Sequence, residues 1–126
     1  MTPAPVLVVD VANVLGSRAD GWWRDRAGAA RRLVEQVRAA TSETHDVVLV
    51  LEGAARAGAE ETGDRVRLHV VHASAGGDDV VVAQARALAD LGRQVTVVTA
   101  DRGLRERVGA FGVQCRGPRW FLDLLG

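Results

Sequence analysis

Residues 6–13 read VLVVDVAN. Four apolar residues, three of them β-branched, run directly into Asp10, and an amide, Asn13, follows three positions later. The run is short and lacks polar alternation, which fits a strand buried on both faces. A strand that ends on a carboxylate has a plain explanation, a last residue that meets water and starts a turn. It also has a sharper one, an acid on the rim of an active site. The rest of the chain bears on the choice.

The same pattern recurs downstream. Short β-branched runs lie at Val47–Leu51, Val66–Val71 and Val95–Val98, with a weaker one near Val113. Between them the apolar residues take helical spacing. In Ala27–Ala40 they fall at Ala27, Ala30, Leu33, Val34 and Val37, while Arg31, Arg32, Glu35, Gln36 and Arg38 take most other faces. Asp79–Leu91 repeats this, Arg102–Ala110 gives a shorter example, and Pro118 suits the start of a last helical turn over Trp120–Leu125. Gly53–Asp64 reads as a helical turn plus surface loop. Strands alternating with helices predict an α/β domain of three layers, a central, mostly parallel sheet of four to five strands flanked by helices. At 126 residues the chain is expected to form one domain, residues 1–126, with a real core.

Composition excludes several classes. Sixteen basic and sixteen acidic residues balance, so net charge favours no partner. Every basic residue is Arg, so any phosphate contact would be a forked guanidinium. The absence of Lys removes a receiver domain and a P-loop, and no GxGxxG opens a helix. The single Cys115, read as a strand residue, excludes an internal disulfide framework and most cysteine-based zinc sites. Ser17, Ser42 and Ser74 lack a His–acid arrangement, and His45, His69 and His72 do not form a helical metal pair. No basic, then apolar leader opens MTPAPVLVVD, and no apolar run reaches membrane-span length. The expected setting is the cytoplasm, with no membrane contact.

The acids fall into a pattern. Asp10 ends the first strand and Glu52 the second; Asp78 and Asp79 follow the third through a Gly pair, and Asp101 follows the fourth. In a parallel sheet the carboxyl ends of strands share one edge, where ligands bind. Asp78 and Asp101 each open a helix and so have a structural reason to be there. Asp10 and Glu52 have none so ready, since neither clearly opens a helix at once. Carboxylates gathered on one rim repel one another unless a cation joins them. With oxygen donors alone, the expected ion is Mg²⁺ or Mn²⁺.

Together DVAN (10–13), LEG (51–53), GGDD (76–79) and TAD-R (99–102) resemble the NYN domain, a branch of the PIN-like nuclease superfamily that includes the YacP-like ribonucleases. The resemblance runs from Val6 to the closing WFLDLL (120–125). It implies a PIN-like α/β sheet, a divalent metal and cleavage of RNA phosphodiesters. Carried over by position, Asp10 is the principal metal acid, Asn13 orients a water or phosphate, and Asp101 completes the metal set. Relatives often carry Asp where this chain has Glu52, whose longer arm would shift the ion or reach it through water. The GGDD motif fits two registers. Counting back from Val82 as an inward residue favours Asp79, while an acidic doublet in relatives makes Asp78 the lead.

An acid rim does not attract a polyanion, so basic groups must surround it. SRADGWWRDRAGAARR supplies Arg18, Arg24 and Arg26, and Arg102 stands beside Asp101. Trp22 and Trp23 offer faces for an unpaired base, with at least one of the two expected in the core. Arg31 and Arg32 read as a solvated helix face. The expected function is a metal-dependent ribonuclease acting on single-stranded or structured RNA. The alternatives are a non-catalytic RNA-binding or protein-interaction module on the same fold, and a nuclease acting on DNA. The closing WFLDLL packs on the core or on a second copy, which would make a homodimer.

Overall fold

The computed structural model describes residues 3–41, 43–63 and 67–126. Five strands, β1 (Val6–Asp10), β2 (Asp46–Glu52), β3 (Leu68–Ala73), β4 (Val95–Val98) and β5 (Gln114–Arg116), form one sheet in the order β3-β2-β1-β4-β5. Every pairing is parallel. Around it lie α1 (Val11–Gly16), α2 (Arg26–Thr41), α3 (Asp78–Asp90), α4 (Arg102–Gly109) and α5 (Pro118–Leu125). The α/β architecture expected from the sequence is present. The expected first residue of the third strand, Val66, lies outside the described residues, as do Met1, Thr2, Ser42, Asp64 and Arg65.

Alternation along the strands explains the three layers. Leu7, Val9, Val47, Leu49 and Leu51 pack with Leu33, Val34 and Val37 of α2 and Phe121 of α5. Val6, Val8, Val48, Val50, Val95 and Val97 face the other way, onto Val81 and Ala85 of α3 and Leu104 and Val108 of α4. The chain winds outward from β1 through β2 to β3, then returns to β4 and β5. Right-handed crossovers in opposite directions place their helices on opposite faces, which is why α2 covers one face and α3 and α4 the other. The reversal leaves β1 beside β4 as the topological switch point.

One segment differs from the sequence reading. Helix α1 begins at Val11, directly after β1, and Asp10 is its N-cap. Asp10 therefore does have a structural role at a helix start, contrary to expectation. The helical turn expected after Glu52 is present: Gly53 turns the chain at φ +59° into a 3-10 segment over Gly53–Gly58. That segment lies so close to α2 that a Cβ on Gly58 would collide with the Ala27 carbonyl and Ala30. Among the described residues no helix is long and apolar enough to cross a membrane. The closing helix α5 packs inward through Phe121, Leu122 and Leu125, with Trp120 and Leu124 exposed.

Candidate active site

Asp10 sits at the switch point with only 7% of its surface exposed. Its Oδ1 accepts from the Asn13 backbone N–H at 3.4 Å, and its Oδ2 accepts from the buried Thr99 hydroxyl at 3.1 Å. Burial pushes its carboxyl up to about 6; the Thr99 and Asn13 donors pull it down, and the charges of Asp78 and Glu52 push it further up. An acid at the opposite end of the sheet behaves otherwise. Asp46 pairs with Arg93 at 2.7 Å and Arg67 at 3.0 Å. Against some desolvation, these guanidinium groups hold its carboxyl below the usual range. Among the described residues the Asp10 carboxylate has no such cation.

Asp78 opens α3 on the exposed rim. Desolvation raises its carboxyl, followed by the charges of Asp101 and Glu52, with Arg107 opposing. Asp78 thus lies within electrostatic reach of Asp10, Glu52 and Asp101. Asp79 is turned elsewhere. Its side chain is 86% exposed and pairs with Arg107 at 2.8 Å. Of the doublet, it is Asp78 whose charge reaches Asp10.

The other expected residues have local partners. Glu52 Oε2 accepts from the Gly77 N–H at 2.6 Å, clasped by the glycine pair. Asp101 caps α4 by accepting from Leu104 N–H at 2.9 Å. Asn13 Oδ1 accepts from Ala100 N–H at 2.9 Å, fastening α1 to the β4–α4 turn. Among the described residues, no three His, Cys, Asp or Glu side chains form a ready ligand set for a metal ion.

The arginines and tryptophans divide. Trp22 packs partly into the core, while Trp23 is 55% exposed. Arg26 lies over the Trp22 ring and Arg24 over Trp23. Arg18 leans on α2, donating to Gln36 Oε1 at 3.2 Å. Arg102 is exposed on the first turn of α4, next to Asp101. Beside the acids a cleft of about 380 Å³ is walled by Trp22, Arg26, Glu52 and Arg56. Sequence reasoning misses Arg56; its one signal is its position four residues beyond the acid that ends β2. It also gives Thr99, within TAD-R, no role, yet the Thr99 hydroxyl joins Asp10 to the Asp101 backbone.

The chain superposes on Rae1 (YacP) from Bacillus subtilis with a TM-score of 0.68 and 20% identity, over 95% of this chain and 72% of that one. The fold is YacP-like. A point mutant of Rae1 gives a TM-score of 0.63 at 19% identity, over 96% and 74% of the two chains. No protein-family model and no curated protein sequence matches the chain.

Proposed function

We propose that this protein is a metal-dependent ribonuclease whose centre is Asp10 at the switch point. The reading is supported by one observation above all. A nearly buried carboxylate, with no cation partner among the described residues, stands where the charges of Asp78 and Glu52 reach it. Such an arrangement is costly to maintain and is relieved by a bound cation. The likeness in fold to Rae1, which carries the name YacP, agrees with it.

The donors present suit a hard ion held largely through water. Mg²⁺ characteristically takes one or two carboxylates, keeps several waters and fills its remaining positions with phosphate oxygens. Asp10 and Asp78 would hold it, with Asp101 on the flank; Glu52 is engaged by Gly77 and Asp79 by Arg107. When bound, Mg²⁺ or Mn²⁺ supplies charge against the phosphorane-like transition state and acidifies an attacking water. The protein's own groups do the rest. Thr99 holds Asp10 Oδ2 and the Asn13 N–H meets Oδ1, which together fix the carboxylate. Asn13 holds the turn that carries Asp101 against α1. Arg24, Arg26 and Arg102 offer guanidinium forks to RNA phosphates around the acids.

A second reading, a non-catalytic RNA-binding module, draws support from the lack of three converging ligands among the described residues. One experiment separates the two. A 5′-labelled single-stranded RNA is incubated with Mn²⁺, Mg²⁺ or EDTA, alongside a DNA oligonucleotide of the same sequence. Cleavage of RNA that EDTA and Asp10→Asn both abolish supports the nuclease. Binding without cleavage in either metal supports the module, and faster cutting of the DNA makes it a deoxyribonuclease.

A further inference from the structure

The cleft beside the acids has features that phosphodiester cleavage alone does not call for. Its floor is apolar, with Leu15 and Ala55, and the Trp22–Arg26 stack forms one wall. Aromatic rings and guanidinium planes are the surfaces on which unpaired bases stack. At about 380 Å³ the cleft lies near the lower end of small-molecule pockets, about 300–1,000 Å³, and admits one base rather than a paired helix.

Glu52 stands where cleft and acid rim meet. It lines the cleft, and its charge is felt at Asp10. Only Oε2 is engaged, by the Gly77 N–H; among the described residues no donor reaches Oε1. A Cβ on Gly76 or Gly77 would lie 3.5–3.9 Å from this carboxyl group, so the turn closes around it and fixes its direction. An ionised carboxylate only accepts hydrogen bonds, and each oxygen has two lone pairs. The four bases differ sharply before such a group. Uracil sets its single N–H between two carbonyls, and adenine and cytosine set an amino group beside a ring-nitrogen lone pair. Guanine alone presents two adjacent donors, N1–H and N2–H. Arg56, which also lines the cleft, is steadied by donating from Nε to the Gly53 carbonyl at 3.1 Å, and its terminal N–H groups can meet guanine O6.

We propose that this cleft is a guanine subsite: it takes one unpaired guanine of the RNA, stacked on the Trp22–Arg26 pair, with N1–H and N2–H donated to Glu52. The inference rests on the ribonuclease reading for its substrate and adds the base that sets the cutting position. Glu52 is then a specificity residue rather than a metal ligand.

The test is binding in EDTA, followed by tryptophan fluorescence, of five-nucleotide oligouridylates whose central base is G, inosine, A, C or U. The G oligonucleotide should bind about tenfold tighter than the U one, the discrimination a bidentate carboxylate–base pair gives. Inosine, which lacks the N2 amino group, should fall between them with no change to the protein. Glu52→Gln keeps an acceptor for Gly77 but places an amide in the cleft, and should bring the G and U affinities together. The same oligonucleotides with Mn²⁺ should be cut in the same order. Equal affinity for all five overturns the guanine subsite, even if cutting persists; a Glu52→Gln variant that keeps the G preference also overturns it. Absence of cutting with G-selective binding overturns the ribonuclease reading and leaves the subsite standing.

Discussion

The Thr99 hydroxyl donates to Asp10 Oδ2 at 3.1 Å and accepts from the Asp101 N–H at 3.1 Å, so one buried side chain links the acid ending β1 to the acid opening α4. Thr99→Val keeps the shape and removes both bonds. Two polar groups lose partners, for an expected cost of about 1–3 kcal/mol by chemical denaturation. The Asp10 carboxyl, deprived of its donor, should titrate higher, so the acid limb of the cleavage–pH profile should move to higher pH. A profile unchanged in midpoint would show that Thr99 only fills space.

The raised carboxyl of Asp10 has a sign that can be measured on metal-free protein. Its folded value of about 6 lies above the 3.8 of an unfolded chain. Between these values the native state binds the extra proton. The Asp10 contribution is therefore fully present below about pH 4 and is lost as pH rises through 6, amounting to about 3 kcal/mol. Asp10→Asn should flatten this dependence, and at pH 7 in EDTA it should melt above the parent while cutting no RNA. Adding Mn²⁺ should stabilise the parent more than the variant.

Asp78→Asn and Asp79→Asn separate the two members of the doublet. Loss of a metal-site group should lower cleavage by about 10- to 100-fold for Asp78. Asp79, exposed and paired with Arg107, should keep close to parental rates, since such surface pairs contribute about 0–1 kcal/mol. The reverse order would return Asp79 to the centre.

Arg24→Ala should weaken RNA binding at low salt and reduce the slope of log affinity against log salt by about 0.7 for each phosphate that the guanidinium neutralises. An unchanged slope, measured by titration across several salt concentrations, would remove Arg24 from the RNA path.

Gly58→Ala probes the wall of the cleft. The added methyl meets the Ala27 carbonyl and Ala30 of α2, so the 3-10 segment must shift. The expected loss is about 1–3 kcal/mol in thermal or chemical unfolding. Displacement of Arg56 should accompany it, visible as weaker oligonucleotide binding.

The strands are legible because each is buried on both faces, which leaves continuous β-branched runs such as Val95–Val98. Helix α1 is not, because its six residues fall short of the window in which helical periodicity emerges, and Asp10 serves at once as the last residue of β1 and the N-cap of α1, with no turn between them. Asp10, Glu52 and Asp101 can be placed at strand ends from spacing alone. The choice between Asp78 and Asp79 cannot, since it depends on the angle at which α3 leaves the Gly pair. The Trp22–Arg26 stack and Arg56 are equally hidden. They meet Glu52 only because the 3-10 segment folds back against α2.

The direct passage from β1 into α1 leaves no slack beside Asp10. Insertions there would displace the acid itself. A designer seeking new target preferences on this scaffold should therefore leave that hinge-free junction untouched.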